Sequence, residues 1–237
     1  HYGITTPLVA YHEHSADSVR DRMIARVREG QALALVSDAG TPLVSDPGFG
    51  LVQAAIAEGL PVTPVPGASA ILTALVVSGL PTHRFFFEGF LPPRSAARRT
   101  RLQELAAVPG TLMLFEAPHR LPDMLADAAA VLGPRPAVVA RELTKLYETV
   151  RRGTLESLAA EFAAEGPPRG EIVVLIGEAS AQSRREEAEE GLDARLHQAL
   201  GGHSVKEAAA LVAAQTGLPR RDVYARALVL AGRTKDK

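Results

Sequence analysis

The 237-residue sequence has no cysteine and no tryptophan, and aromatic residues make up only 5% of it. Without cysteine there is no disulfide, no thiolate metal site and no cysteine nucleophile. So few aromatics argue against a broad base-stacking surface of the kind single-strand binders use. An excess of one charge is lacking too. Lys and Arg number 26 against 27 Asp and Glu, a net charge of -1, so any basic surface must be local. No run of about 18 apolar residues is available to span a bilayer. The opening HYGITTPLVAYHEH has neither the charged nor the apolar block of a signal peptide. The expectation is a cytoplasmic protein with no membrane partner. What is present, 46% hydrophobic and 22% charged residues, suits a globular chain with one large core or two smaller ones.

Short apolar runs alternate with helical patterns. Leu8 to Tyr11, Ala32 to Ser37 and Val62 to Val65 read as strands. Ser15 looks like an N-cap for a helix that Gly30 stops, Phe49 to Glu58 is helical, and Ala68 to Ser78 is an apolar helix. This rhythm implies a parallel or mostly parallel sheet with helices on its faces. After a break at Gly79 to Thr82, a second set of elements follows. Strands are expected at Arg84 to Leu91, Thr111 to Glu116, Ala137 to Glu142, Tyr147 to Arg152 and Glu171 to Ile176. Helices are expected at Arg94 to Ala107, at His119 to Leu132, and from a Thr154 cap to about Ala164. Ser180 to Glu190 is polar and charged and reads as a linker or an exposed helix start, and the rest is helical, with Ser204 and Glu207 spaced as a capping box and a turn at Gly217. The fold class is α/β: two α/β lobes, 1–82 and 83–179, a linker 180–191 and a small helical domain 192–237.

Three loops stand out because they follow strands and are built of small residues. They are Ser37-Asp38-Ala39-Gly40-Thr41-Pro42, Asp46-Pro47-Gly48, and the turn Pro66-Gly67-Ala68-Ser69-Ala70. Open α/β sheets bind ligands beyond the carboxyl ends of their strands, and Gly40 lets backbone approach a ligand closely. Taken singly, each loop is better read as an ordinary βα turn, where Asp, Pro and Gly are favoured anyway. Three such loops at one sheet edge describe a cleft better.

SDAGTPLVSDPG (Ser37 to Gly48), the VPGASA turn and the two-lobe layout resemble the tetrapyrrole methylase family. LPTHRFFFEGFLP (Leu80 to Pro92), LFEAPHRL, ARELTKLYE and GEIVVLIG extend the similarity, in order, over essentially residues 1–179. The resemblance is greatest to the branch that methylates ribosomal RNA. It implies S-adenosyl-L-methionine folded in a cleft between the two lobes, in contact with Ser37, Asp38, Ala39, Gly40 and Thr41 and with Pro66, Gly67, Ala68, Ser69 and Ala70. It further implies 2'-O-ribose methylation of a decoding-centre cytidine in 16S rRNA, the small ribosomal subunit as partner, and a homodimer. The family pattern also has an opening strand and Gly/Pro-rich loop ahead of the position of His1. The 237 residues alone are therefore expected to bind the cofactor weakly.

Methyl transfer to a ribose needs the hydroxyl oriented in line with the methyl and relieved of its proton. A carboxylate or a neutral lysine could accept that proton, and Glu116, Glu142 and Lys145 are the candidates. Arg94, Arg98 and Arg99, with His119, Arg120 and Arg141, are candidates for RNA positioning. So are Lys206, Arg220 and Arg221 of the tail, where eight Lys and Arg stand against four Asp and Glu from Leu192 onward. For Glu116–Arg120 and Arg141–Glu142, structural pairing at strand ends is an equally good reading. A helical appendage with a solvated basic face is at least as good a reading of the tail as groove recognition by a helix-turn-helix. Two other functions stay open. A methylase of a corrin-type precursor explains the loops but not the basic segments, and a DNA-binding regulator explains the tail but little else.

Overall fold

The computed structural model describes residues 3–12, 17–179, 189 and 191–232, which form two compact units, His1–Gly177 and Glu178–Lys237. The first unit opens with helices α1 (Asp17–Arg28), α2 (Phe49–Ala57) and α3 (Ala70–Ser78). Ser69 caps α3 by accepting the Leu72 N–H, and Gly79 closes it in a left-handed conformation. The Ser15 cap expected for α1 lies outside the described residues. The strands expected at Leu8 to Tyr11, Ala32 to Ser37 and Val62 to Val65 do not form. A short apolar run can suggest a strand, but a strand exists only where a neighbouring backbone supplies ladder hydrogen bonds. These segments run without one, and Val65 is 90% exposed.

The second half supplies the sheet. Its elements are β1 (Phe85–Phe90), α4 (Ser95–Leu105), β2 (Thr111–Glu116), a 3-10 turn (Pro118–Arg120), α5 (Leu121–Leu132), β3 (Pro136–Arg141), β4 (Thr149–Thr154), α6 (Leu155–Glu165) and β5 (Ile172–Ile176). The strand order is β1-β2-β5-β3-β4, with β1 and β2 parallel and the other pairings antiparallel. Direction therefore alternates so that β1, β2 and β3 run one way and β4 and β5 the other. Alternation along the strands sends Leu112, Leu114, Val139, Ile172 and Val174 to one face, where they pack with Leu102, Leu121, Leu125, Leu158 and Phe162 of α4, α5 and α6. Met113, Val138, Ala140, Val173 and Leu175 face the other way and pack against Ala74 and Leu75 of α3. Each buried Leu, Ile, Val, Met or Phe among them contributes about 1.5–3 kcal/mol of transfer free energy.

The last unit consists of α7 (Leu192–Leu200), α8 (Val205–Thr216) and α9 (Arg220–Leu230). Leu192, Leu196, Ala208, Val212, Leu218, Val223 and Ala227 form its own core. The expected capping box is present: Ser204 Oγ accepts the Glu207 N–H, and Glu207 Oε2 accepts the Ser204 N–H at 3.0 Å. The basic residues Arg233, Lys235 and Lys237, and most of the linker 180–191, lie outside the described residues. Among those residues no helix is long and apolar enough to cross a membrane. The architecture is a mixed α/β sheet flanked by helices, followed by a helical C-terminal domain.

Candidate active site

Because β1, β2 and β3 are co-directional, their C-terminal ends share one edge with the N-terminal ends of β4 and β5. The register places Glu116, Ile172, Arg141 and Thr149 in one row along that edge. With strands about 4.8 Å apart, Glu116 and Arg141 are roughly 10 Å from each other along the row. The small-residue loops reach the same edge. Ser45 Oγ occupies the space over Gly89 near the end of β1, where a Cβ would lie 2.9 Å from it. Arg152, level with Val138 in the first half of β3, donates to the Ser78 carbonyl at 3.1 Å and to that of Val77. The C-terminal end of α3 therefore sits low on the sheet, and its N-terminal loop, 66–69, points to the functional edge.

Thr41 Oγ1 donates to the Ala68 carbonyl at 3.0 Å, tying the two expected cofactor loops into one wall. Within the first loop Ser37 Oγ donates to the Ala39 carbonyl at 2.9 Å. Asp38, Ala39, Gly40, Thr41, Pro66, Gly67, Ala68 and Ala70 are exposed, Ser37 and Ser69 half-buried, and nothing lies within 4 Å of a Cβ placed on Gly40 or Gly67. A wall of open backbone without bulky side chains suits a flat, polar ligand.

Glu116 ends β2 on the face covered by α4 and α5, and its side chain is 1% exposed. Its Oε1 accepts the Ala117 N–H at 2.8 Å and lies 3.1 Å from Arg120 Nε, while Oε2 has no hydrogen-bond partner among the described residues. Burial pushes this carboxyl above the ordinary carboxylate value, with Ala117, Arg120 and Arg98 opposing. Arg120 is committed to structure: besides Glu116, its Nη2 donates to the carbonyls of Leu91 (2.7 Å) and Pro92 (3.3 Å). His119 is exposed beside it.

The loop between β3 and β4 is organised differently. Glu142 (φ 51°) and Thr144 (φ 66°) both take left-handed backbone, at a cost of about 1–3 kcal/mol each. Glu142 Oε1 accepts the Glu171 N–H at 2.8 Å, and Lys145 Nζ donates to Glu142 Oε1 and Glu171 Oε2, each at 3.0 Å. The Glu171 amide and then Lys145 hold the Glu142 carboxyl below its ordinary value. Glu171 and Glu142 in turn raise Lys145. These two carboxylates favour the ammonium form of Lys145, which suits it to stabilise negative charge better than to accept a proton. Arg141 is tied to Thr149 Oγ1 (3.2 Å) and to the carbonyls of Arg169 and Tyr147 (3.3 Å each). The turn bonds of residues 142–148 also explain why the expected strand from Tyr147 begins only at Thr149.

A family model of the tetrapyrrole (corrin/porphyrin) methylases matches residues 2–159, about two thirds of the sequence. The chain belongs to the tetrapyrrole methylase family. A model of the RsmI C-terminal HTH domain matches residues 186–231 of the methylase. It is 50% identical over 227 residues to the ribosomal RNA small subunit methyltransferase I of Xylella fastidiosa, covering 94% of this chain and 82% of that one. To the protein of the same name from Pseudomonas aeruginosa it is 46% identical over 240 residues, covering 99% and 84%. Among solved structures, the methyltransferase CobJ aligns with TM-score 0.51 at 22% identity, covering 68% of this chain and 70% of that one. Diphthine synthase aligns with TM-score 0.51 at 18% identity, covering 72% and 69%. These two likenesses are of fold.

In this methylase the cluster Arg94 to Arg101 is not the uniform basic patch its sequence suggests. Arg98 is buried: its Nε and Nη2 bind Asp127 Oδ2 at 2.8 and 2.6 Å, and its Nη1 donates to the Pro93 carbonyl. That removes Arg98 from the RNA-positioning set, because a guanidinium locked between two helices cannot meet a phosphate. Arg101 grips Glu88 through two hydrogen bonds at 2.6 and 2.7 Å. Arg94 and Arg99 are exposed, as are Lys206, Arg220 and Arg221 in the C-terminal unit. Sequence reasoning missed Glu171, which anchors Lys145, and an aromatic group in which Phe87 and Phe90 meet Phe115 at 4.9 and 5.7 Å between ring centres. The triplet Phe85-Phe86-Phe87 was the available signal for the second, since five of the seven Phe fall on β1 and β2.

Proposed function

We propose that the chain transfers a methyl group from S-adenosyl-L-methionine to the 2'-hydroxyl of a decoding-centre cytidine in 16S rRNA. The observation that carries the proposal is the near-full-length match to proteins named ribosomal RNA small subunit methyltransferase I, extending through the C-terminal helices. The exposed wall of residues 37–41 and 66–70 fits the donor, with backbone groups for its polar amino-acid end and small residues beside a flat ring. The donor supplies an electrophilic methyl on sulfur. This chain's own residues orient the acceptor and manage charge. Lys145, fixed as a cation by Glu142 and Glu171, sets a positive charge at the edge where an oxyanion develops. Glu142 holds that cation; its lowered proton affinity makes it a weak base. Glu116 has the raised affinity a base requires, and it meets substrate only if Arg120 swings aside.

Exposed cations serve the polyanion. Lys206 lies in the first turn of α8, and Arg220 and Arg221 in that of α9, where the helix dipole disfavours positive charge. As exposed cations they suit the phosphates of a polyanion. In the first unit, Arg94, Arg99, His119 and Arg141 are the cations proposed to meet phosphates. A cytoplasmic homodimer acting on the small subunit completes the proposal. A corrin-type precursor is the second reading, favoured by the match to the family described as tetrapyrrole (corrin/porphyrin) methylases.

The test is to incubate the full protein with labelled donor and small subunits from a strain lacking the gene, then map label by mass spectrometry. Label on the ribose of a single decoding-centre cytidine is expected. Label on a base, or none on RNA and some on a tetrapyrrole precursor, would overturn the proposal.

A further inference from the structure

The loop between β3 and β4 is the most heavily determined irregular segment at the functional edge, yet it presents Leu146 and Tyr147 to solvent at 88% and 69% exposure. Seven residues are held by many bonds. Glu142 N–H donates to the Glu171 carbonyl, Lys145 N–H to the Glu142 carbonyl, and Glu148 N–H to the Lys145 carbonyl. Glu148 Oε2 accepts the Thr144 N–H at 2.6 Å, and Arg141 Nη2 donates to the Tyr147 carbonyl. Glu142 and Thr144 are forced left-handed, which side-chain-bearing residues avoid. Strain of this kind persists only where surrounding structure imposes it, and it collects at functional sites. The core gains nothing from the loop tip, because neither Leu146 nor Tyr147 packs into it. What the bonds achieve is a fixed backbone at Tyr147, whose carbonyl accepts from Arg141 Nη2, in the loop that also carries Lys145; Arg141 Nη1 bonds the carbonyl of the exposed Arg169.

We propose that Tyr147 is a stacking platform for an unpaired base of the substrate RNA, adjacent to the nucleotide being methylated. The inference rests on the RNA reading above and names a contact that reading does not contain. Single-stranded RNA is recognised by aromatic rings that stack splayed bases while arginines hold the neighbouring phosphates. Tyr147 supplies the exposed ring, and Arg141, bonded to the Tyr147 carbonyl, supplies positive charge at the same loop. A loop with a fixed backbone avoids the backbone ordering cost that a mobile loop would incur on binding. A second copy of this chain would explain the exposed Leu146–Tyr147 pair but not the neighbouring cations.

The absence of tryptophan makes a direct assay available, because the four tyrosines are then the dominant emitters. Full-length protein is titrated with an oligoribonucleotide spanning the target cytidine, following tyrosine emission, and methyl-transfer kinetics are measured on small subunits. Wild type is expected to show quenching on binding. Tyr147→Ala should raise KM for the RNA about ten-fold or more, the loss of one stacked base, with KM for the donor unchanged. Tyr147→Phe should restore the RNA KM, whereas Tyr147→Leu should not. The proposal is overturned if Tyr147→Ala stays within about two-fold of wild type, or if Leu rescues as well as Phe. It is overturned equally if Tyr147→Ala lowers the sedimentation coefficient, which would assign the ring to a second copy. Wild type that methylates no small-subunit RNA would remove the functional reading itself, and the stacking site with it. An active wild type with an indifferent Tyr147→Ala would remove the stacking site alone.

Discussion

Removing the carboxylate of Asp127 tests whether the arginines after β1 serve the fold or the substrate. Asp127 on α5 is 13% exposed and Arg98 on α4 is 5% exposed at their side chains. Arg98 Nε and Nη2 bind Asp127 Oδ2, Ser95 Oγ donates to both carboxylate oxygens at 2.9 and 3.0 Å, and Arg99 Nε lies 3.6 Å away. Breaking a buried pair from one side leaves the other charge without its counter-ion and costs about 3–5 kcal/mol. Asp127→Ala strands Arg98 with a single carbonyl, so it belongs at the upper end of that range. Arg98→Met keeps the apolar stem and leaves Asp127 with Ser95 and Arg99, so it belongs at the lower end. In a unit of this size each kcal/mol lowers Tm by about 2–4 °C, so losses of roughly 6–20 °C are expected by calorimetry. The double variant Arg98→Met, Asp127→Leu should recover most of the loss, because two apolar side chains can fill the site of a buried pair. Arg99→Met loses only a long, half-exposed pair with Asp127 and should lower Tm by no more than about 4 °C, while reducing the salt dependence of RNA binding by about one counter-ion. If Arg98→Met melted like wild type and weakened RNA binding instead, the pair would not be the structural lock described here.

Gly170→Ala is expected to cost about 1–3 kcal/mol in thermal melts, because φ at Gly170 is 98° and a Cβ there would lie 2.5 Å from the Glu142 carboxyl group. Since that clash expels Glu142 from its place beside Lys145, methyl transfer should fall as well. Glu116→Gln reads out the raised proton affinity. Wild type binds the Glu116 proton more tightly folded than unfolded, so its stability should fall relative to the Gln variant as pH rises above the ordinary 4.5. Tm differences that stay flat from about pH 4 to 8 would refute this. Ser204→Ala removes the reciprocal cap of α8 and should cost about 1 kcal/mol, seen as faster amide hydrogen exchange in the first turn of that helix.

Local physics made much of this protein legible from its residues. Thr111 to Glu116 is apolar and β-rich, Thr154 and Ser204 are hydroxyl caps with partners three residues on, and Gly217 ends its helix in a left-handed turn, as read. Each of those signals spans four or five residues and competes with nothing distant. The ordered run of family motifs, covering most of the chain, pointed to the methylase class in the same way. Pairing was not legible. Ala32 to Ser37 and Val62 to Val65 carry the composition of strands, but composition names no partner. Nor does it set the order β1-β2-β5-β3-β4, which brings Glu116 and Arg141 level through Ile172. Charge state was equally a tertiary matter. Arg98 and Arg99 are neighbours of one type, and only the position of Asp127, 29 residues from Arg98, buries the first and leaves the second in water. Glu171, 26 residues from Lys145, favours the ammonium form of that lysine. Glu142 and Thr144 adopt left-handed backbone that their own propensities oppose, because the bonds to Glu171 and Glu148 outweigh the local cost.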